Sequence, residues 1–133
     1  MAAGFLDEKK YVDQAGDVIN KLVEKTDRRG KKIPLVSTSK IRNILSMAAD
    51  IYDKVLQNRD EQLSEEIVSR IEYLRVRMIY ECGRELGVKS FVEESDLLDY
   101  AKMIGNEKKK YILFYHYLEA LVAFHKYNGG KDN

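Results

Sequence analysis

The sequence has one cysteine, one proline and no tryptophan among its 133 residues. The single cysteine, Cys82, excludes a disulfide within the chain and is typical of a reducing compartment. The only proline is Pro34 and alternating β-branched runs are missing, so most of the chain is free to form helices. The formal net charge is only +1, which argues against a polycation that coats nucleic acid over its whole surface.

Long hydrophobic runs are also missing. The longest apolar stretch, residues 111–124, is interrupted by His116 and Glu119 and is shorter than a membrane span. The amino end does not have the basic segment and apolar core of a secretory signal. We therefore expect a cytoplasmic protein with no membrane partner.

Helical periodicity covers most of the chain, and its charged fraction of 34% suits a helical protein. The prediction is an all-α fold, a single-domain bundle of about five helices over residues 1–133. A basic loop is expected at about 26–37 and flexible ends at 1–5 and 128–133. The predicted helices span about 6–25, 39–57, 62–86, 88–104 and 107–127, and the fourth has a weak point near Ser95 and Asp96.

Three residues mark expected helix ends. Gly87 is predicted to end the third helix as its C-cap glycine, and Gly105 to end the fourth. Asn106 is predicted to cap the fifth helix. The fifth helix is apolar over most of its circumference, so we expect it to be the central helix of the bundle.

The sequence contains no residue pattern typical of an enzyme active site. His116 and His125 lie nine residues apart on one predicted helix, with no cysteine or carboxylate at metal-ligand spacing. The pattern around His125 is typical of a packed core residue, and Cys82 is expected to be a small buried residue rather than a nucleophile. No glycine-rich phosphate loop occurs. The sequence therefore predicts no enzyme, no catalytic residue, no metal or other cofactor and no small-molecule substrate.

The strongest signal is positive charge at the start of the second predicted helix. Residues 21–42 carry eight Lys or Arg against two acids, 8 − 2 = +6. Thr38 and Ser39 begin the helix, and Lys40 and Arg42 follow in its first turn. A cation there opposes the helix dipole and costs about 0.3–1 kcal/mol without an anion nearby. A phosphate would reverse that cost, so the pattern predicts an anion site.

A second signal is a stripe on the third predicted helix. The stripe has spacings of 3, 4, 3 and 4 and consists of Arg70, Tyr73, Arg77, Tyr80 and Arg84. Guanidinium groups pair with phosphates and tyrosine rings stack on bases. An ordinary solvated face is the alternative, because Glu66 can pair with Arg70 and Glu81 with Arg77. Arg75 lies at the edge of the apolar arc and needs an internal carboxylate or an external anion.

A third basic feature is the run of lysines at 108–110, where the fifth predicted helix begins. It again places cations at the positive end of a helix dipole. Runs of this kind are usually solvated, so contact with a ligand and simple hydration both stay open.

Three ordered blocks together resemble a known family. Residues 37–44, 72–85 and 117–127 are similar to the small helical Csm subunit of type III-A CRISPR effector complexes, as is the basic loop at 27–31. The resemblance covers roughly residues 18–131. Cys82 departs from it, because a small residue such as alanine is expected at that position.

The resemblance implies a non-catalytic subunit present in several copies. Such subunits stack into an inner filament beside RAMP-type backbone subunits and the large signature subunit, and line the channel that holds guide crRNA paired to target RNA. Cleavage belongs to the backbone subunit. The acidic residues within 60–66 and 93–99 would face basic surfaces of neighbouring subunits. Carried onto this sequence, the RNA-contacting residues are Lys40, Arg42, Arg75, Arg77, Arg84 and Lys126, with Thr38, Ser39 and Asn43 as further members.

Two other functions stay open at this point. In the first, the chain is a helical adaptor whose arginines meet acidic protein surfaces, with no direct contact to RNA. In the second, it is a helix-turn-helix regulator. The regulator is disfavoured because that motif needs a tight turn of three to four residues between its helices and a shorter second helix.

Overall fold

The structure is a computed structural model that describes residues 4–26, 28–32 and 35–129. In these residues it contains six helices and two isolated bridges, Thr26 with Lys32 and Gln62 with Glu107, and no longer strand pairing. The all-α bundle predicted from the sequence is confirmed. The helices are α1 Tyr11–Glu24, α2 Thr38–Gln57, α3 Glu65–Arg84, α4 Leu86–Ser95, α5 Leu97–Met103 and α6 Lys108–Tyr127.

The helix count differs from the expected five because the fourth predicted helix is split. Asp96 adopts a left-handed conformation, with φ 58° and ψ 26°, between α4 and α5. The Ser95 hydroxyl donates to the carbonyls of Phe91 and Val92, at 2.7 and 3.1 Å. A serine that takes up helix carbonyls and an aspartate that tolerates a positive φ together end the helix. The weak point expected here is therefore a complete break.

The role predicted for Gly87 as a C-cap of the third helix is wrong. Helix α3 ends at Arg84, the chain is extended at Glu85 with φ −134° and ψ 118°, and Gly87 lies inside α4. A Cβ atom placed on Gly87 would lie 2.9 Å from the Cβ of Val36. Glycine is required here because the segment before α2 packs directly on the α4 backbone.

Of the other two predicted helix ends, the one at Gly105 is confirmed and the cap at Asn106 is wrong. Gly105 follows α5 with φ +58°, so its predicted role at the helix end is confirmed. Asn106 does not cap α6, because the N-cap residue is Glu107. The Asn106 carbonyl instead accepts a hydrogen bond of 2.7 Å from the Leu63 amide, which ties the start of α6 to the start of α3.

The amino-terminal segment is packed without being α-helical. The prediction placed the first helix from residue 6, whereas α1 begins at Tyr11. Leu6 is buried and the Phe5 ring packs edge-on against Tyr100, with ring centroids 5.9 Å apart. The side chains of Phe5 and Leu6 therefore hold this segment against the bundle, although the segment is not part of α1. Residues 1–3 and 130–133 of the predicted flexible ends lie outside the described part of the chain.

Helix α6 is the central helix, as predicted. It packs against α1, α2 and α5. Its fully buried apolar side chains are Tyr111, Phe114, Tyr117, Leu118 and Leu121. The two tyrosine hydroxyls donate to backbone carbonyls, that of Tyr111 to Ala48 at 2.6 Å and that of Tyr117 to Ser95 at 2.8 Å. The buried aromatic rings thus bring hydrogen bonds to α2 and to the α4–α5 break.

Two of the three lysines at the start of α6, Lys108 and Lys110, have internal partners. Lys108 donates through Nζ to the carbonyl of Asn58, the C-cap residue of α2. Lys110 donates to the carbonyl of Met103, the last residue of α5, at 3.5 Å and pairs with Glu107 at 2.9 Å. Carbonyl ends of helices are partially negative, so their attraction for these cations opposes the repulsion from the α6 dipole. Two lysines of the run are explained without an external ligand.

Candidate nucleic-acid interface

The start of α2 is anchored by a buried histidine. His125, fully buried on α6, donates through Nε2 to the Val36 carbonyl at 2.6 Å. Its Nδ1 atom then accepts from the hydroxyl of Thr38, at 3.4 Å. The prediction of a packed core histidine is confirmed. Thr38 itself is buried, so its hydroxyl is turned to the core rather than to a surface ligand.

Burial lowers the pKa of His125, with a smaller contribution from the nearby Lys126 ammonium. A histidine with a lowered pKa in the folded state binds fewer protons than in the unfolded chain, so stability is lost as the pH falls below about 6.5. We expect the free energy of unfolding to decrease from pH 7 to pH 5 with a slope of at most about 1.4 kcal/mol per pH unit from this group. Denaturant unfolding at several pH values measures the slope. A slope unchanged in His125→Gln would contradict this assignment.

Lys40 and Arg42 differ in their surroundings. The Lys40 ammonium pairs with Glu85, at the α3–α4 junction, at 2.9 Å. Arg42 is exposed and forms no ion pair within residues 4–26, 28–32 and 35–129. Side chains two positions apart on a helix point about 160° away from each other. Lys40 therefore faces α3, and Arg42 faces away from it.

The C-terminal half of α3 carries a cluster of charges around one tyrosine. Arg84 donates to the Glu81 carboxylate at 3.1 Å, and Arg77 pairs with the same carboxylate at 3.7 Å. Both guanidinium groups also lie over the ring of Tyr80. That of Arg77 is 5.1 Å from the ring centroid and that of Arg84 is 5.7 Å from it. The predicted pairing of Glu81 with Arg77 is confirmed, and so is that of Glu66 with Arg70, at 3.2 Å.

These contacts bring three of the predicted residues to one surface. Glu85 is one residue beyond Arg84, so its ion pair with Lys40 joins the start of α2 to the end of α3. We call this the α2–α3 basic surface and define it by Lys40, Arg77 and Arg84. It contains three cations against the carboxylates of Glu81 and Glu85.

The other predicted residues do not all reach that surface. Arg75 points to the opposite side of α3 from Arg77 and donates to both carboxylate oxygens of Glu72, at 2.9 and 3.1 Å. The internal carboxylate that Arg75 needed is therefore Glu72. Ser39 lies 3.2 Å from the Ser37 hydroxyl, and Asn43 is exposed on α2. Lys126 is exposed next to His125, whose ring contacts the start of α2.

The positive charge at the start of α2 predicts an external anion, and the ion pairs correct that inference. Lys40, Arg75, Arg77 and Arg84 already have carboxylate partners, so no external anion is needed to explain them. The carboxylates of Glu85 and Glu72 are open to solvent, and exposed ion pairs are worth about 0–1 kcal/mol, so a phosphate can replace these two carboxylates at little cost. The ion pair of Lys40 with Glu85 is not predictable from the sequence, because the two residues lie 45 positions apart (85 − 40) and no helical spacing links them.

The described residues hold little that resembles a reaction centre. They contain no group of three or more metal-ligating side chains and no helix suited to cross a membrane. A cavity of about 370 Å³ lies between the segment before α2 and α4, with Phe91, Leu86 and His125 in its wall. Cys82 is half-buried on α3, and burial together with the nearby Glu93 carboxylate raises the pKa of its thiol. A raised thiol pKa disfavours the thiolate that a nucleophile requires.

Comparisons with known proteins give one consistent family. The family model described as Csm2 Type III-A matches residues 16–131. The chain is 38% identical over 127 residues to "CRISPR system Cms protein Csm2" of Streptococcus thermophilus, covering 96% of this chain and 98% of that protein. The Mycobacterium tuberculosis (strain CDC 1551 / Oshkosh) protein of the same name is 36% identical, with 92% and 94% covered. That of Enterococcus italicus is 38% identical, with 76% of each chain covered.

Proposed function

Because the chain belongs to the Csm2 family of type III-A CRISPR systems, we propose that it is the non-catalytic small subunit that lines the channel for guide crRNA and target RNA. In this proposal it binds the RNA backbone without sequence specificity and stacks with other copies of itself into an inner filament. The RAMP-type backbone subunit and the large signature subunit are its protein partners, and it needs no cofactor.

The observation that supports RNA binding is the α2–α3 basic surface. Arg84 and Lys40 expose about half of their side chains, 55% and 45%, so both can reach a ligand from solvent. Guanidinium and ammonium groups recognise phosphate oxygens, which carry no base code. A surface of this kind holds an RNA strand by its backbone. Lys126, Ser39 and Asn43 extend the proposed contact along the start of α2 and the end of α6. Arg42 faces away from α3, so in this proposal it contacts a different part of the RNA.

The salt dependence of binding tests this proposal. Anisotropy of a labelled RNA of mixed sequence is measured with the full chain at several salt concentrations. We expect the logarithm of the affinity to fall linearly with the logarithm of the salt concentration, because phosphate contacts release counterions. Arg77→Ala and Arg84→Ala are each expected to make this slope shallower by about 0.7–0.9, which is one phosphate contact.

Arg59→Ala is the matched control. Arg59 is exposed and precedes the N-terminal end of α3, whereas Arg77 and Arg84 lie in the C-terminal half of that helix. The variant removes the same charge and residue type, and its slope is expected to equal that of the unmodified chain. Equal slopes for all three variants would remove α3 from the RNA contact.

The ion pairs favour one second candidate, a helical protein–protein adaptor that does not touch RNA. In that case the arginines meet acidic surfaces of partner proteins, a kind of contact that they already make with Glu72 and Glu81 inside the chain. Purification of the tagged chain from its native cell separates the two. Recovery of short processed RNAs with RAMP-type proteins is expected for the RNA-holding subunit. Association that survives nuclease treatment, with no RNA affinity of the chain itself, would establish the adaptor.

A further inference from the structure

Glu81 differs from the other acidic partners of the basic residues. Only 7% of the residue is exposed, and its two carboxylate oxygens meet Arg84 at 3.1 Å and Arg77 at 3.7 Å. Glu85 and Glu72, which pair with Lys40 and Arg75, are open to solvent. A buried carboxylate depends on its partners because water cannot replace them.

This difference decides what an approaching phosphate can displace. An exposed carboxylate that loses its cation is hydrated again, so the exchange costs little. A buried carboxylate that loses both cations stays as an uncompensated charge, which is strongly unfavourable. A phosphate can therefore take Lys40 from Glu85, but Arg77 and Arg84 stay at Glu81 while they bind it.

Both arginines have groups left for that contact. A guanidinium carries five N–H donors, and Glu81 takes one hydrogen bond from Arg84 and one ion pair from Arg77. Tyr80 lies three positions after Arg77 and four before Arg84, so its ring can support both guanidinium groups. The ring centroid is 5.1 Å from the guanidinium carbon of Arg77 and 5.7 Å from that of Arg84. Each guanidinium is thus held by a carboxylate and by a ring. Little side-chain freedom is lost when such a group binds a ligand.

We infer that Tyr80 and Glu81 are positioning residues that hold Arg77 and Arg84 ready for the phosphates of one RNA strand. The inference rests on the proposed function, and it adds an acidic residue to a site that binds an anion. Charge alone predicts the reverse, since removing a carboxylate beside two arginines should strengthen the binding of RNA.

The sign of one substitution tests the inference. Glu81→Gln and Glu85→Gln each raise the net charge by one, and both remove a carboxylate beside cations of the α2–α3 basic surface. Glu85→Gln is expected to tighten RNA binding about twofold, because it frees Lys40. Glu81→Gln is expected to weaken RNA binding about three- to tenfold, because two guanidinium groups lose their anchor. Anisotropy with the same mixed-sequence RNA measures both.

Tyr80 provides a second test that does not disturb the core, since 53% of it is exposed. Tyr80→Leu is expected to weaken binding about threefold, and Tyr80→Phe to restore it, because the ring and not the hydroxyl supports the arginines. Tighter binding by Glu81→Gln, or equal binding by Tyr80→Leu, would overturn the inference and leave the proposed function standing. Absence of RNA binding by the unmodified chain would overturn both. Should Glu81→Gln fail to fold, as judged by circular dichroism, the tyrosine variants decide.

Discussion

Replacing Tyr117 with alanine is expected to lower the free energy of unfolding by about 3–5 kcal/mol, as is usual for removing a buried aromatic side chain. Tyr117 is fully buried on the central helix α6, and its hydroxyl donates to the Ser95 carbonyl at 2.8 Å. That carbonyl lies at the α4–α5 break, so the substitution removes core packing and a contact that holds the break. The corresponding decrease in the thermal midpoint is about 10–20 °C.

Two control variants separate packing from hydrogen bonding. Tyr117→Phe keeps the ring and is expected to cost only about 0.5–1.5 kcal/mol, the usual worth of one hydrogen bond. Tyr73→Ala removes an exposed tyrosine from α3 and is expected to stay within about 0.5 kcal/mol of the unmodified chain. Equal losses in Tyr117→Ala and Tyr73→Ala would contradict the central position of α6.

Alanine at Gly87 is expected to destabilise the fold by about 1–3 kcal/mol, the usual cost of overpacking. Helix propensity predicts the opposite, a gain of about 1 kcal/mol for alanine over glycine inside a helix. The contact decides the sign, because the added Cβ would lie 2.9 Å from the Cβ of Val36. Thermal or denaturant unfolding of the full chain measures the change.

Gly83 is the matched control for this substitution. It lies within α3, and a Cβ atom placed on it meets nothing within 4 Å. Gly83→Ala is therefore expected to stabilise the fold by up to about 1 kcal/mol, through helix propensity alone. A stabilising effect of both substitutions would show that the segment before α2 moves away from α4 without cost.

Most of the fold follows from the periodicity of the sequence. The apolar circumference of α6 identified the central helix, and the apolar spacing in α2 and α3 located both helices to within a few residues. The helix ends were less predictable, because they depend on tertiary contacts. Gly87 had the sequence signature of a C-cap, but its position is set by contact with Val36, 51 residues away (87 − 36).

The candidate site was predictable in its residue types but not in its pairing. Helical spacing identified the contact of Glu81 with Arg77 within α3. It could not show that Glu81 is buried, because burial depends on the packing of the neighbouring helices. Nor could it find the ion pair of Lys40 with Glu85, which forms only when α2 and α3 come together. The predicted RNA contacts of Lys40, Arg42, Arg75, Arg77, Arg84 and Lys126 stay predictions.

The lysine contacts at the start of α6 have a consequence for the binding experiments. Lys108 and Lys110 donate to the carbonyls of Asn58 and Met103 from partly buried positions. Such contacts are screened far less by dissolved ions than charges on an open surface are. Raising the ionic strength should therefore detach a polyanion while leaving this end of the bundle intact. Thermal midpoints that stay constant across the salt series would show that the measured loss of affinity belongs to the ligand and not to melting of the protein.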